Sequence, residues 1–420
     1  MIAKSAHRSV RPLLKLCRWV AACTLVAATG WASAQTEQIP STTTSLVSIA
    51  DRMISYRSQE HMWQTADGAT HVIINRGPRR DRSSLALYST HDGGVNWDYT
   101  SVSLPGSNGS STSDGYLVDN RLHITWDVGA SAIRYAELVY DPVAKTWALD
   151  SASEVVNFAD AAALTPAMAA DALGRQWLAF THKDQATGNF SIKMMRRDTA
   201  GGVWVDTGFT FGPVDNLANE RSGRPIATSR GMGMVFTVKA ETYWAERRNE
   251  WALEQPWPRA PIYTKTEPSN DPYGTHFSVV ADGDSNLHMS SVDGGKVVYS
   301  RYLMADRKWV TRVLTENIKA SYVQTTLSGG NVLLISNAYT YLSVFQSADN
   351  GSTFALTHTL VHPAPADGEN YNRPRLESPS LVASGAVPVL QQYVKGRRQR
   401  ALFFAVPVVS NPAAVSAALR

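Results

Sequence analysis

The chain is poor in cysteine: its 420 residues include only Cys17 and Cys23, and both lie in the first 34 positions. Without thiols after that point, it can form neither disulfides nor cysteine-ligated metal sites. It also lacks, after residue 34, any apolar run long enough to cross a membrane. The histidine spacing fits no common metal motif. We therefore predict no disulfide, no metal, no cofactor and no membrane span.

A strong excess of one charge sign is also missing once the N-terminal segment is set apart. Residues 1–34 contain five basic and no acidic side chains, then an apolar stretch from Trp19 to Trp31, and end in Ala32-Ser33-Ala34. This pattern predicts a secretory signal peptide, with a lipid anchor at Cys23 as the less favoured alternative. Its removal changes the formal charge from +4 to −1. The sequence thus predicts an exported protein, periplasmic or extracellular, with no nucleic-acid-binding surface.

The main feature of the remaining chain is a repeat of a turn followed by a short apolar strand. Seven copies recur at intervals of 46 to 57 residues, and they begin at positions 66, 118, 172, 229, 282, 328 and 384. A period of about 50 residues with several strands per unit is typical of a propeller blade. The fold class predicted is therefore all-β, a seven-bladed β-propeller, with six blades as the alternative.

Each unit continues into a second turn that is closed by an aromatic residue, which suits a wedge between neighbouring sheets. These aromatic residues are Trp97, Trp147, Trp204, Trp251, Trp309 and Phe354. The last unit ends near residue 409 without an outer strand, whereas the segment 44–52 precedes the first unit. We expect the N-terminal strand to complete the C-terminal blade and so remove exposed edges. The predicted organisation is a lead-in at 35–43, one propeller domain at 44–410 and a frayed tail at 411–420.

Two of the aromatic-closed turns resemble a known motif. Residues 347–354 read SADNGSTF and residues 90–97 read THDGGVNW, close to S-x-D-x-G-x-T-F/W. This pattern resembles the Asp box of sialidases and related propellers, and looser versions begin at Asp198 and Asp306. Asp92 and Asp349 are expected to accept backbone N–H groups across their own turns, a structural role. His71, His123 and His288 recur at one position of the second strand, and we likewise predict that they are hydrogen-bonded within the sheets.

A different pattern appears at the start of the innermost strand of each unit, where the residue types vary. A residue that differs between blades and faces the axis is a better candidate for function than one that repeats. Convergent arginine, histidine and tyrosine side chains at one mouth of the channel suit an anionic ligand. The aligned residues are His61, Ser113, Thr165, Arg224, His276, Tyr322 and Ser378.

The first functional interpretation comes from the order of features in residues 56–97, which is similar to the first blade of sialidases. The resemblance implies that Arg57, Arg224 and Arg375 hold a carboxylate, that Asp81 is the general acid, and that Tyr371 is the nucleophile. A three-arginine clamp would suit a sugar acid. The seven repeats exceed the six blades of that family.

The second interpretation rests on a resemblance to seven-bladed polysaccharide lyases such as ulvan lyases. Elimination across a uronic acid needs a base, an acid for the leaving oxygen and a cation beside the carboxylate. By this resemblance Arg224 is the cation, while His61, His276 and Tyr322 are candidates for the base and acid. Tyr273 lies nearby as a substrate-binding candidate, together with the tyrosine and arginines of the first interpretation.

The third interpretation is a non-catalytic propeller that binds exported glycans or helps to assemble an envelope complex. Such a protein needs only a recognition face, to which Trp63, Tyr116, Trp126 and Trp244 could contribute. The sequence favours an enzyme acting on an acidic polysaccharide or glycoconjugate, either a glycoside hydrolase or a polysaccharide lyase. The binding protein remains the alternative.

Overall fold

A computed structural model describes residues 35–38, 42–50, 52–54, 56, 58–78, 83–159, 161–199, 201–214, 223–238, 240–266, 277–315, 320–338, 341–362, 369–370, 375–383 and 385–410. Within these residues all regular structure is β, in 31 strands that form seven sheets. The fold is a seven-bladed β-propeller, so the predicted fold class is confirmed and the six-bladed alternative is wrong.

The strands follow each other through the blades in chain order. Two N-terminal strands are β1 (Gln35–Gln38) and β2 (Thr42–Ser48). Blade 1 contains β3 (Met62–Gln64), β4 (Thr70–Asn75), β5 (Leu85–Thr90) and β6 (Asp98–Ser103). Blade 2 contains β7 (Ser113–Val118), β8 (Arg121–Val128), β9 (Ala132–Asp141) and β10 (Thr146–Asn157). Blade 3 contains β11 (Ala161–Ala170), β12 (Gln176–Asp184), β13 (Phe190–Arg197) and β14 (Val205–Val214).

The second half of the ring repeats this order. Blade 4 contains β15 (Gly223–Thr228), β16 (Gly231–Val238), β17 (Glu241–Arg248) and β18 (Arg259–Thr264). Blade 5 contains β19 (Phe277–Ala281), β20 (Leu287–Asp293), β21 (Lys296–Leu303) and β22 (Lys308–Thr315). Blade 6 contains β23 (Tyr322–Ser328), β24 (Asn331–Asn337), β25 (Tyr341–Ser347) and β26 (Ala355–Val361). The last strands are β27 (Glu369–Asn370), β28 (Leu376–Glu377), β29 (Leu381–Val382), β30 (Val387–Lys395) and β31 (Arg398–Val406).

The ring is closed by the N-terminal strand, as the sequence predicted. Strand β2 pairs antiparallel with β31, with Thr42 opposite Phe403 and Ser48 opposite Gln399. This pairing gives blade 7 its outer strand and removes an open edge. Residues 35–38 of the expected lead-in form β1, which pairs in parallel with β26. Because β29 pairs with β23 at the other edge, the sheet of blade 6 has six strands. The predicted tail at 411–420 lies outside the described residues.

The core consists of apolar clusters between neighbouring blades. A cluster of this kind fills each of the seven blade interfaces of the ring among the described residues. Five of the six predicted aromatic wedges belong to these clusters or pack against them. Trp251 does not, since Trp257 takes its place between blades 3 and 4. The longer loop before β18 brings the later tryptophan under the sheet, a shift that the repeat alignment did not predict.

The turns 90–97 and 347–354, which contain Asp92 and Asp349, form matching hydrogen bonds. Asp92 Oδ1 accepts the Asn96 backbone N–H at 3.0 Å, and Asp349 Oδ1 accepts the Thr353 backbone N–H at 2.8 Å. Bonds from Asn96 lower the pKa of Asp92 to about 2. Gly94 has φ +90° and faces the neighbouring blade so closely that a Cβ would lie 1.8 Å from the Phe403 ring. These turns thus bind their own backbone, as expected of a structural role.

The recurring second-strand histidines are also held within the sheets. His71 Nδ1 lies 2.7 Å from Ser89 Oγ, and His123 and His288 each place Nδ1 2.7 Å from a tyrosine hydroxyl. Burial lowers the pKa of His71 to about 3, so its imidazole is neutral at ordinary pH. The prediction of a structural role for these histidines is confirmed.

Candidate functional site

Five of the seven residues aligned on the repeat lie within one residue of a strand end. Among the described residues, His61 precedes β3, Ser113 begins β7, Arg224 is second in β15, Tyr322 begins β23, and Ser378 follows β28. Thr165 lies within β11, with φ +49° and its hydroxyl 2.9 Å from the Thr181 hydroxyl. His276 lies outside the described residues. The starts of these strands therefore form one end of the ring.

Arg224 is the centre of a buried charge cluster at this end. Its Nη1 donates to the Ser58 carbonyl at 2.6 Å and to Asp114 Oδ1 at 2.9 Å, while Nη2 lies 3.5 Å from Glu60 Oε2. Burial acts to lower the pKa of Arg224, but the Asp114 and Glu60 carboxylates outweigh it and raise the pKa. The guanidinium therefore stays charged, and Asp114 is its closer acidic partner.

Asp114, in blade 2, is linked to three other blades through this arginine and two backbone amides. It accepts the N–H of Glu60 and the N–H of Met168, both at 2.6 Å, and its side chain is fully buried. The alignment of the internal repeats pointed to the preceding residue, Ser113. The hydroxyl of Ser113 is buried and has no hydrogen-bond partner among the described residues. Because side chains alternate along a strand, an alignment error of one residue selects the wrong face.

Glu60 is the most exposed member of the cluster and the one suited to proton transfer. Its Oε1 accepts the Ser380 backbone N–H at 3.0 Å, and its side chain keeps 12% exposure. Burial raises the pKa of Glu60 to about 7, against the opposing effect of Arg224. A carboxyl group that titrates near neutral pH can donate or accept a proton under physiological conditions.

His61 forms a pair with Glu377, a residue 316 positions away in the chain. The imidazole Nδ1 lies 3.0 Å from Glu377 Oε2, and the His61 backbone N–H donates to Oε1 at 3.3 Å. Burial raises the pKa of Glu377, with His61 and Arg224 acting in the opposite direction. The His61 Nε2 is buried and has no hydrogen-bond partner among the described residues. The pair thus fixes the orientation of the imidazole and leaves its second nitrogen without a hydrogen bond.

Two other predicted site residues, Tyr322 and Arg375, are described and lie outside this cluster. Tyr322 packs in the apolar core between blades 6 and 7, beside Leu376. Arg375 Nη1 donates to the Ile54 carbonyl at 3.2 Å. The remaining candidates lie outside the described residues: Arg57, Asp81, Tyr273, His276 and Tyr371.

The structure also corrects the proposed aromatic recognition face. Trp63, Trp126 and Trp244 are buried in the interblade core, with 3%, 2% and 4% exposure. Tyr116 is partly buried and accepts a hydrogen bond from Gln176. The three tryptophans fill space between sheets and cannot present their faces to a glycan.

We call Glu60, His61, Asp114, Arg224 and Glu377 the inner-ring cluster. It combines three carboxyl groups, one guanidinium and one imidazole, and it reaches solvent through Glu60 and Arg224, whose side chains are 12% and 9% exposed. Such a set can bind a polar ligand and move a proton. In the part of the chain that the structure describes, no acidic or histidine group forms a metal site, and no helix is long and apolar enough to cross a membrane.

Comparison with known proteins shows a likeness of fold. No protein-family model matches the chain, and no curated protein matches it. Among solved structures, the polysaccharide lyase Uly1 is 10% identical with a TM-score of 0.48, covering 83% of this chain and 90% of the lyase. The NanB sialidase of Streptococcus pneumoniae is 11% identical with a TM-score of 0.46, covering 82% and 85%. A Trypanosoma rangeli sialidase is 12% identical with a TM-score of 0.49, covering 89% of this chain and 60% of the sialidase. At these identities only the architecture is shared, and function must be argued from this chain's own side chains.

Proposed function

We propose that this propeller is an exported carbohydrate-active enzyme that acts on acidic glycans through the inner-ring cluster. The observation that carries the proposal is Glu60, a carboxyl group with a pKa of about 7 that lies beside Arg224 and adjoins the His61–Glu377 pair. Perturbed titratable groups that converge at one mouth of a fold are characteristic of active sites.

The arrangement favours elimination on a uronate over hydrolysis, because its available base is an imidazole. Glu377 holds His61 by Nδ1, and Nε2 takes the proton from C5 of the uronate. The C5–H electron pair forms the C4–C5 double bond, the C4–O bond breaks, and protonated Glu60 gives its proton to the leaving oxygen. Arg224 pairs with the substrate carboxylate at Nη2, where its contact to Glu60 is long at 3.5 Å.

The remaining candidates keep their roles as proposals. His276 and Tyr273 come before β19 in sequence, and Tyr371 comes before Arg375. We propose that Tyr273, Tyr371 and Arg375 bind the glycan and that His276 is a further candidate for the base or acid. For the hydrolase interpretation, Arg57, Arg224 and Arg375 would hold the carboxylate, Asp81 would be the general acid and Tyr371 the nucleophile.

Two further assignments belong to this proposal. We assign the turns 90–97 and 347–354 as Asp boxes, since their matching hydrogen bonds fit that motif. We assign residues 1–34 as a cleaved signal peptide, which N-terminal sequencing of the exported protein tests: a mature chain that starts at Gln35 supports it, and one that retains the segment contradicts it.

The first experiment offers the mature protein a panel of uronate polysaccharides and sialosides, while ultraviolet absorbance and reducing-sugar release are followed in parallel. Rising absorbance identifies an unsaturated uronate and hence a lyase. Sugar release without it identifies a hydrolase. Turnover should fall by about 10²- to 10⁴-fold in Glu60→Gln and His61→Asn, with binding retained. His61→Asn keeps a donor for Glu377 but lacks Nε2, and His91→Asn, at an exposed histidine, is the matched control.

The alternative is a glycan-binding or envelope-assembly propeller without catalysis. One observation favours it: Arg224 is already paired with Asp114, so its charge is balanced before any substrate arrives. Retention on an immobilised acidic glycan, with no product in either assay, would support this alternative and contradict the enzyme.

A further inference from the structure

Three guanidinium groups surround one buried indole between blades 3 and 4. Their central carbons lie 5.8 Å (Arg175), 5.4 Å (Arg196) and 5.5 Å (Arg247) from the ring centroid of Trp177, which has no exposed surface. Each contact is within cation–π range, but like charges around one ring repel each other. An arrangement of this kind needs negative charge nearby.

Among the described residues, two of the three arginines have a carboxylate partner. Arg175 Nε lies 2.6 Å from Asp171, and Arg196 Nε lies 2.7 Å from Asp198. Arg247 forms no ion pair with any described residue, and its guanidinium donates to the backbone carbonyls of its own hairpin. One cation of the three is therefore not neutralised by direct contact.

Arg247 is also the most deeply buried of the three. It is 1% exposed, and its Nε has no hydrogen-bond partner among the described residues. Burial lowers the pKa of Arg247, and the charges of Arg175 and Arg196 lower it further, against Asp171 and Glu254. A buried cation that lacks a carboxylate partner and keeps one N–H unpaired is costly, and a bound anion would relieve that cost.

This arginine cluster lies at the opposite end of the strands from the inner-ring cluster. Arg175 and Trp177 follow the turn after β11, Arg196 is the second-last residue of β13, and Arg247 is the second-last residue of β17. The inner-ring cluster is built at the strand starts. The two sites are therefore separate, and the inference that follows is independent of the proposed enzymatic function.

We propose that Arg175, Arg196 and Arg247 form an oxyanion-binding site, which takes a sulfate or phosphate group. The partly exposed side chains of Arg175 and Arg196, at 14% and 16%, give the anion access, and Arg247 supplies the unbalanced charge. Guanidinium groups suit tetrahedral oxyanions because their planar donors form paired hydrogen bonds. The anion comes either free from solution or as the ester group of a sulfated glycan.

The test measures binding of inorganic sulfate and phosphate to the mature protein by calorimetry and by melting temperature, at an ionic strength held constant with sodium chloride. Arg196→Gln should weaken sulfate binding about tenfold, since it removes a charge-assisted donor. Asp198→Asn should tighten it, because the competing carboxylate is exposed and can be neutralised without disturbing the core. Arg397→Gln, in the exposed turn between β30 and β31, is the control for the change in net charge.

Arg247→Met tests the buried member directly. The variant should no longer respond to sulfate, while Arg397→Gln responds as the parent protein does. A sulfated disaccharide that binds more tightly than sulfate, and competes with it, identifies the glycan as the source; binding of inorganic anions alone identifies the free anion. The proposal is overturned if all variants, including Arg196→Gln and Asp198→Asn, gain the same stability from sulfate, because that would be a general salt effect.

Discussion

The pKa of Glu60 leads to a specific prediction about stability and pH. Its carboxyl has an ordinary pKa of 4.5 and a folded-state pKa of about 7. A group whose pKa is raised on folding stabilises the fold while it is protonated, and that stabilisation is lost as the pH rises through the folded value. At about 1.4 kcal/mol per pKa unit, the loss approaches about 3 kcal/mol well above neutral pH.

The substitution that isolates this effect is Glu60→Gln. Glutamine has the same shape and can still accept from Ser380 and Arg224, but it does not ionise. Relative to this variant, the parent protein should lose about 2.5 kcal/mol of unfolding free energy between about pH 5 and about pH 8. Asp127 and Glu377 also have raised pKa values, but both proteins contain them, so their contributions cancel in the difference.

The assay is urea unfolding followed by tryptophan fluorescence at both pH values. Glu254→Gln, at an exposed glutamate, is the matched control and should follow the parent protein at each pH. A difference between the parent and Glu60→Gln that stays constant with pH would refute the reasoning, because a Glu60 carboxyl with an ordinary pKa gives that result.

Two other substitutions test the packing of the ring. Asp114→Asn removes the countercharge of a buried guanidinium and replaces an acceptor with a donor. Urea unfolding should show that the unfolding free energy falls by about 3 to 5 kcal/mol, against less than about 1 kcal/mol for Asp150→Asn at an exposed position. Equal losses in the two variants would contradict a buried charge pair. Gly94→Ala should lower the melting temperature more than Gly93→Ala, because both glycines have positive φ but only Gly94 faces Phe403 at contact distance. If Gly93→Ala is equally harmful, backbone strain alone explains both.

The fold was predictable because a propeller repeats its local signals. Each blade carries a turn and an apolar strand, and the aromatic wedge recurs wherever the hairpin keeps its length. The prediction of Trp251 as a wedge was wrong because this hairpin does not keep that length. The loop before β18 is longer, and Trp257 reaches the interblade core instead. Ring closure by β2 was predictable because the last repeat lacks an outer strand. The pairing of β1 was not predictable, because β1 has no apolar pattern and pairs through its backbone.

The inner-ring cluster was only partly predictable, since its partners are brought together by ring closure and not by chain proximity. His61 and Arg224 were found because they occupy equivalent blade positions, but their partners lie 316 and 110 residues away from them. Glu60 lies next to His61 in sequence, and its carboxylate contacts Arg224 from blade 1. The choice between a catalytic centre and a self-neutralised structural cluster therefore depends on one contact, the 3.5 Å separation between Glu60 and Arg224. If Glu60 is protonated there, Nη2 of Arg224 can pair with a ligand carboxylate. Anionic glycans should then bind more weakly as the pH rises above about 7, because Glu60 ionises and competes for Arg224. Glu60→Gln should abolish this pH dependence, whether the protein is an enzyme or a binding protein.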